Sequence, residues 1–266
     1  MPNPSAIISA IYRYPVKGLS PQPLAKTVLN VGATLLADRL YAVENGHSGF
    51  DPAAPAYLPK QNFLMLMRNE QLAALRTDFD DATHTLRISS EGREAARSDL
   101  RTAEGRGAIE NFLAAYCADA LRGPPKVLHS PGHSFSDVAA KVVSIINLAS
   151  VAAVENAIGF PVHPLRFRGN LYVTGWPEWH EFELLGREIA IGSAARAKIV
   201  RRIKRCAATN VDPDTGVRDL QIPATLLQTF NHGDCGVYAE VVTAGPITSG
   251  DVVSEIAPGA QGRRVL

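Results

Sequence analysis

The sequence predicts a β-rich α+β protein made of many short strands and a few short helices. Three observations lead to this fold class. Short runs of alternating or β-branched residues recur along the chain, 21 glycines and 18 prolines punctuate them, and few segments have helical periodicity. This pattern is typical of a barrel-like architecture and differs from the regular strand–helix alternation of a doubly wound sheet.

The first forty residues predict three strands joined by turns. Residues 6–14 are rich in Ile and Tyr, residues 27–31 alternate between apolar and polar side chains, and residues 40–43 form the third apolar run. Pro15, Gly18 and Pro21 mark the turn after the first strand. Residues 45–59 are polar and rich in Pro and Gly, which predicts a loop long enough to be functional.

The remainder of the first half predicts a short helix at 69–75, a strand at 85–89 and a longer helix at 108–121. The longer helix is predicted because five apolar residues fall on one face: Ile109, Phe112, Leu113, Tyr116 and Ala120. Gly123 and the two prolines after it end this helix and mark a domain boundary. We therefore expect one module over residues 1–122, a second over 123–257, and a flexible tail at 258–266.

The second half contains one further helix and several strands. Residues 150–158 predict a helix that Gly159 ends, and residues 170–174 predict a strand. Two short apolar runs, 181–185 and 188–191, flank a Gly-Arg pair and predict a hairpin. Residues 195–203 and 236–242 alternate as further strands.

Composition excludes several classes of protein. Lys and Arg number 27 and Asp and Glu 26, so the net charge of +1 argues against nucleic-acid binding. Three cysteines exclude a disulfide scaffold and any four-cysteine zinc or iron–sulfur site within this chain. The first residues make a poor signal peptide, and the longest apolar stretch, 142–154, is too short to span a bilayer. We therefore expect a soluble cytoplasmic protein with no membrane partner.

The most unusual segment precedes Cys206. Five of the eight residues before this cysteine are cationic: Lys198, Arg201, Arg202, Lys204 and Arg205. A thiol beside fixed positive charge has more thiolate character, and thiolate is both a nucleophile and a soft metal ligand. The turn-forming residues 212–216 follow closely. Charge spacing alone leaves an alternative open, in which a solvated basic strand ends at an incidental cysteine.

A second candidate site lies at Arg166, Arg168 and Asn170. In an extended segment these three side chains project to one face, where two guanidiniums and an amide would form an anion cradle. The alternative is a surface strand whose charges are screened by solvent. Lys17 and Arg39 are further cations in turns, where each could line a cavity or be an ordinary surface residue.

Other patterns carry less weight. His129 and His133 are separated by Pro131 and Gly132, so they do not share a helix face as zinc ligands would. His232 near Cys235 lacks the context of a cysteine protease, and neither a GxGxxG nor a Walker-type phosphate loop is present. Cys117 and Cys235 are interpreted as buried structural thiols.

Taken together, an ordered set of motifs resembles the MOSC family, named after the C-terminal domain of molybdenum-cofactor sulfurases. The motifs are YPVKG at 14–18, Asp38-Arg39, INLAS at 146–150, RFRGN at 166–170, Arg205-Cys206, VDPDTG at 211–216, GVY at 236–238 and the closing glycines at 245 and 250. The resemblance implies a MOSC β-barrel domain preceded by a smaller N-terminal β-barrel-like module, as in the amidoxime-reducing component and its bacterial relatives.

The resemblance also implies a cofactor and a set of site residues. The cofactor is the molybdenum cofactor, a molybdopterin that binds Mo, and Cys206 would be the thiolate ligand of the metal and the catalytic residue. Cofactor-binding residues implied by motif position are Lys17, Arg39, Asn147, Ser150, Arg166, Arg168, Asn170, Arg205 and Tyr238. Pyridoxal phosphate is not expected.

Three departures from the family pattern stand out. Gly18 replaces a frequent serine, and Gly169 replaces the proline of RFRPN. Residues 44–61 depart as well, because a longer loop at 46–59 replaces a short hairpin and Lys60-Gln61 stands where Arg-Gln is expected. This loop is expected to reshape the mouth of the substrate site.

The first hypothesis is an oxidoreductase that reduces N-hydroxylated or related N-oxygenated small molecules at molybdenum. Because the chain has no cluster-type cysteines and no flavin or NAD fingerprint, the electrons would come from a separate donor protein of ferredoxin or flavin type. Two alternatives remain: a sulfur carrier with a persulfide on Cys206, and a non-catalytic module that binds and delivers the cofactor.

Overall fold

The computed structural model describes residues 4–256. Its strands are β1 Ala6–Arg13, β2 Gln22–Leu24, β3 Lys26–Leu29, β4 Tyr41–Asn45, β5 Arg76–Asp80, β6 Thr85–Ser90, β7 Arg93–Asp99, β8 Pro125–His129, β9 Val143–Asn147, β10 Leu171–Thr174, β11 Glu188–Ile191, β12 Ala195–Lys204, β13 Asp234–Thr243, β14 Gly245–Thr248 and β15 Val252–Glu255. Its α-helices are α1 Ala103–Tyr116, α2 Leu148–Ile158, α3 His180–Glu183 and α4 Ile222–Phe230. The predicted tail at 258–266 lies outside the described residues.

Seven strands form a closed barrel. They follow the order β10-β9-β13-β12-β11-β15-β1, and β1 pairs with β10 to close the ring, while β2 extends the sheet from β1. The pairing of β9 with β10 is parallel and the other pairings in this sheet are antiparallel. Alternate side chains point inward, as along β12, where Ala195, Ala197 and Ile199 are buried. The predicted β-rich fold with a MOSC-type barrel is confirmed.

A smaller β module packs beside the barrel. It comprises the antiparallel meander β5-β6-β7 and the pair β4-β8, with α1 covering a separate apolar core that includes Phe79, Ile88 and Leu113. Strands are shared between the two parts of the chain: β1 belongs to the barrel, β3 pairs with β14, and β8 pairs with β4. The division of the chain at residues 122 and 123 remains a prediction.

Two helices follow the local capping rules. The hydroxyl of Thr102 accepts a hydrogen bond from the backbone N–H of Gly105, and this N-cap starts α1 five residues before the predicted start at 108. The helix ends at Tyr116, with Cys117 as its C-cap, five residues before the predicted end at 121. Helix α2 begins at Leu148, two residues before the predicted start, and the side chain of Asn147 caps it. The helix ends at Ile158, followed by Gly159 in the left-handed conformation, and this end is as predicted.

The predicted hairpin between 181–185 and 188–191 is wrong. Residues of the first run form the short helix α3, because burial of Phe182 and the Glu181 side chain turns this segment toward α2. The hairpin partner of β11 is instead β12, with Glu188 opposite Lys198. Within residues 4–256 no helix is both long enough and apolar enough to cross a bilayer.

Candidate functional site

A cavity of about 350 Å³ lies where the barrel meets the smaller module. Segments from both halves of the chain line it, including the turn after β1, the turn before β4, the first residue of the 3-10 helix Lys60–Asn62, and the end of β12. Nine cationic side chains are among the lining residues: Lys17, Arg39, Lys60, Arg166, Arg168, Arg201, Arg202, Lys204 and Arg205. Two carboxylates, Asp38 and Asp137, oppose them, so the cavity is strongly cationic.

Cys206 lies in this cavity at the point where β12 ends. The residue has extended backbone geometry and precedes the 3-10 helix Ala207–Asn210, and its carbonyl accepts hydrogen bonds from Thr209. Its thiol is partly exposed, and the Nζ atom of Lys60 donates to Sγ over 3.2 Å. A cation beside the sulfur stabilises negative charge there, which suits a metal ligand or a nucleophile.

The other two cysteines are buried, as the sequence predicted. Burial raises the pKa of the Cys117 thiol to about 11 and that of Cys235 to about 12. Neither thiol lines the cavity. Cys206 is therefore the one cysteine with access to a ligand in that cavity.

Lys60 is a site residue that the sequence analysis noted but did not assign. Burial opposes the charge of Lys60, yet the electrostatic interaction and hydrogen bond with Cys206 raise the pKa of its ammonium. The residue follows a segment, 46–59, that contains no helix or strand, as predicted. The signal that could have identified Lys60 is its place at the point where the family pattern calls for arginine.

Lys17 is nearly buried, with a side chain only 6% exposed. Its ammonium donates to the carbonyl of Phe135 over 2.9 Å and forms an ion pair with Asp137. Burial lowers the pKa of Lys17 against the opposing effect of the ion pair. Burial would raise the pKa of Asp137, but attraction to Lys17 and Lys60 lowers it, so this carboxylate stays ionised. Sequence reasoning placed Lys17 here and missed Asp137.

Arg39 and Arg168 both stack on the ring of one tyrosine, Tyr14. The guanidinium carbon of Arg39 lies 4.4 Å from the centroid of the Tyr14 ring, and that of Arg168 lies 4.2 Å from it. Arg39 also forms an ion pair with Asp38 and donates to the carbonyl of Arg168 over 3.1 Å. The structure therefore brings these two predicted residues together.

The expectation that residues 166–170 form one extended face is wrong. Residues Pro164–Phe167 form a 3-10 helix, and Arg168 has a positive φ of 49°, so successive side chains do not alternate as in a strand. Gly169 explains part of this geometry. Its N–H donates to the Tyr172 hydroxyl over 3.0 Å, which proline could not do, and a Cβ atom would approach Cγ1 of Ile146 to 2.3 Å.

Arg166 is held mainly by the protein itself. Its guanidinium forms a bidentate pair with Asp219, a bond to Asp212 and a bond to the carbonyl of Asn210. It thereby fastens the turn at 212–216 to the cavity wall. Its Nε atom is buried and has no hydrogen-bond partner among residues 4–256.

The remaining predicted residues divide into two groups. Asn170, Arg205 and Tyr238 line the cavity. Arg205 donates to the carbonyls of Cys235 and Phe167, which fixes the backbone next to Cys206. Asn147 and Ser150 do not line the cavity. Their side chains instead bind the buried carboxyl group of Glu181, whose pKa is raised by burial.

The fold and the cavity together define a two-module β-barrel protein with a cationic, cysteine-containing site. Family sequence models match the MOSC N-terminal beta barrel domain at residues 5–117 and the MOSC domain at residues 130–254. The chain therefore belongs to the MOSC family, with the N-terminal beta barrel domain preceding the MOSC domain. Membership of this family links the chain to the molybdenum cofactor.

Individual relatives are distant. The chain is 31% identical over 126 residues to mitochondrial amidoxime reducing component 2 of Bos taurus, a match that spans 43% of this chain and 37% of that protein. The YUAD protein of Bacillus subtilis aligns over 94% of each chain at 12% identity with a TM-score of 0.45. YiiM of Geobacillus stearothermophilus aligns over 45% of this chain and 56% of its own at 19% identity, with a TM-score of 0.35.

The donor set of the cavity fits an anionic cofactor with one sulfur ligand from the protein. No group of three or more His, Cys, Asp or Glu side chains in the described part of the chain could hold a bare metal ion. A single thiol among many guanidinium and ammonium groups instead suits a metal that arrives with its own ligands and negative charge. The buried Nε atom of Arg166 is a further unused donor at the cavity wall.

Proposed function

We propose that this protein is a molybdenum-cofactor-dependent oxidoreductase that reduces N-hydroxylated or related N-oxygenated compounds. One observation carries the proposal. The Sγ atom of Cys206 lies beside the Lys60 ammonium in a cavity lined by nine cations, where a thiolate ligand and an anionic cofactor would both be stabilised. The similarity to an amidoxime reducing component supports the choice of reaction.

Different residues of the chain would bind different parts of the cofactor. Cys206 would bind the metal through its sulfur. Arg168 and Lys17, which reach the cavity from opposite modules, would balance the charge of the cofactor. The cofactor, when bound, would supply two-electron oxygen-atom abstraction, in which an N-hydroxyl compound, two electrons and two protons give the reduced nitrogen compound and water.

Electrons would come from a separate protein of ferredoxin or flavin type. Of the three cysteines in the chain, Cys117 and Cys235 are buried in different apolar cores and cannot join Cys206 around an iron–sulfur cluster. We propose that the donor docks at the open side of the cavity, where Arg201 and Lys204 are exposed.

The test compares the molybdenum content of the wild-type chain with that of Cys206→Ser, both produced in a host that makes the cofactor. We expect about one molybdenum per wild-type chain and a loss of at least about tenfold in the variant. Cys117→Ser is the matched control, because it removes a buried thiol outside the cavity and should leave molybdenum content unchanged. Equal molybdenum in wild type and Cys206→Ser would refute the proposal.

The same protein samples separate the two alternatives. The partial exposure of Cys206 leaves its sulfur accessible, as a sulfur carrier requires. Metal-free protein whose mass includes one extra sulfur on Cys206 would support sulfur transfer. Tightly bound cofactor without reduction of a model amidoxime, when a low-potential chemical reductant is present, would support a delivery module.

A further inference from the structure

Two arginines of the cavity wall have strained backbone conformations and contact the ring of a single buried tyrosine. Arg39 has φ 52° and Arg168 has φ 49°, both in the left-handed region that residues other than glycine seldom adopt. Such strain persists only where the surrounding contacts hold the backbone in place. Tyr14 is fully buried, and both guanidiniums lie over its ring.

The surrounding bonds fix this arrangement from three segments of the chain. The backbone N–H of Tyr14 donates to the Asp38 carboxylate over 2.8 Å, and the backbone N–H of Arg39 donates to the carbonyl of Tyr14 over 2.7 Å. Arg168 donates to the carbonyl of Leu19 over 2.8 Å and accepts from Arg39 at its own carbonyl. The tyrosine ring is thus the common support of two side chains that come from different modules.

The charges of the two arginines are balanced unequally. Asp38 neutralises Arg39. Arg168 has no carboxylate within ion-pair distance among residues 4–256, and burial lowers its pKa. A partly buried guanidinium without a counter-ion, held in a cationic cavity, is suited to bind an anion.

We propose that Tyr14 is a positioning residue that stacks Arg39 and Arg168 into a preformed binding pair for a phosphate-type anion. The proposal deepens the cofactor-binding function above and rests on it for the natural ligand, but anion binding can be measured on the cofactor-free chain. The aromatic face of Tyr14 is the essential element. Its hydroxyl group has no part in the stacking.

The test measures binding of inorganic phosphate to cofactor-free protein by calorimetry, together with molybdenum content after expression in a cofactor-producing host. Tyr14→Phe keeps the ring and should match the wild type in both measurements. Tyr14→Leu removes the ring and should bind phosphate at least about fivefold more weakly, with a parallel fall in molybdenum content. Arg168→Lys keeps the charge without the planar stacking group and should resemble Tyr14→Leu.

Tyr41→Leu is the matched control, because Tyr41 is equally buried and no arginine among residues 4–256 stacks on its ring. It should lower the melting temperature without weakening phosphate binding. The proposal is overturned if the wild type binds no phosphate, if Tyr14→Leu binds as the wild type does, or if Tyr14→Phe loses as much as Tyr14→Leu. If Tyr14→Leu fails to fold, the comparison of Arg168→Lys with the wild type decides.

The two proposals fail separately. If Cys206→Ser keeps its molybdenum while Tyr14→Leu loses phosphate affinity, the assigned metal ligand is wrong and the role of Tyr14 stands. If Cys206→Ser loses molybdenum while Tyr14→Leu binds phosphate normally, Cys206 stands as the metal ligand and the proposed role of Tyr14 is wrong.

Discussion

Arginine side chains in the cavity wall differ in what neutralises them. Arg166 is almost fully buried, with 2% of its side chain exposed, and is balanced by two aspartates. Arg168, only two residues further, is balanced by none within the described residues. The first is mainly a structural clasp for the turn at 212–216, and the second is free to bind a ligand. Arg166 and Arg168 therefore have different roles, although they are only two residues apart.

The clasp at Arg166 makes stability depend on pH through Asp212. Burial would raise the pKa of this carboxyl, but hydrogen bonds from the backbone of Thr215 and Asp214 and the charge of Arg166 lower it. Because the pKa is lower in the folded chain, the stabilisation is present above the ordinary value of 3.8 and is lost as pH falls through the folded-state value. We expect Asp212→Asn to unfold at lower denaturant concentration than wild type at pH 7.

The difference in unfolding midpoint between Asp212→Asn and wild type should shrink as pH falls below 4. Asp214→Asn is the control, because its side chain is exposed and bonds only Arg76 across the surface. A difference that stays constant from pH 7 to pH 3 would contradict this account of the turn.

Helix boundaries show what local sequence can and cannot reveal. The end of α2 was predictable because Gly159 is a strong end signal, whereas its start at Leu148 lies two residues before the predicted start at 150. The start of α1 was missed because Gly105 and Gly107 disfavour helix in isolation. Gly105 is nevertheless needed there, since a Cβ atom would lie 1.9 Å from the carbonyl oxygen of Asp99. Strand β7 was missed because charged and small residues fill it, and pairing with β6 alone makes it a strand.

Seven predicted binding residues and Cys206 line one cavity. The extended backbone conformation expected for Arg166, Arg168 and Asn170 is wrong, because residues Pro164–Phe167 form a 3-10 helix. Sequence reasoning could not place Asn147 and Ser150 correctly in space, since their partner Glu181 is distant along the chain. Asp137 lies in a segment without regular structure and Lys60 in a short 3-10 helix, and in neither does a periodicity indicate which side chains turn inward. Tertiary contacts alone reveal Asp137, whereas the family pattern, with arginine expected at position 60, is the sequence signal for Lys60.

The Thr102 side chain that caps α1 is expected to contribute to the stability of the folded chain. Thr102→Ala removes the acceptor for the Gly105 N–H and should lower the free energy of unfolding by about 1 kcal/mol. Thr102→Ser keeps the hydroxyl oxygen and should recover most of that loss. Chemical denaturation measures both variants, and equal stability of Thr102→Ala and wild type would show that the cap contributes nothing.

Over the whole molecule, the barrel depends on a strand from the beginning of the chain. Strand β1 pairs with β10 on one side and with β15 on the other, and Ile8 and Ile11 contribute to the barrel core. Without β1 the ring is open, and two strand edges and part of the core are exposed to solvent. The boundary that composition suggests at 122 and 123 thus separates segments that share one barrel.

We therefore expect a fragment of residues 123–256 to lack a cooperative thermal transition. The full chain should unfold cooperatively under the same conditions. Adding a synthetic peptide of residues 4–30 in trans should restore part of the signal, because it supplies β1 and β3. A fragment that folds cooperatively alone would show that the barrel does not need the first strand.

The position of Cys206 between modules also bears on when the protein can acquire its ligand. Lys17 comes from the beginning of the chain, Cys206 from near its end, and the barrel that orients Cys206 closes only when β15 has joined β1. A chain in which β15 has not yet paired with β1 therefore has no complete site. Ligand binding in the cavity should thus require the closed barrel, whichever part of the chain supplies the contacting side chain.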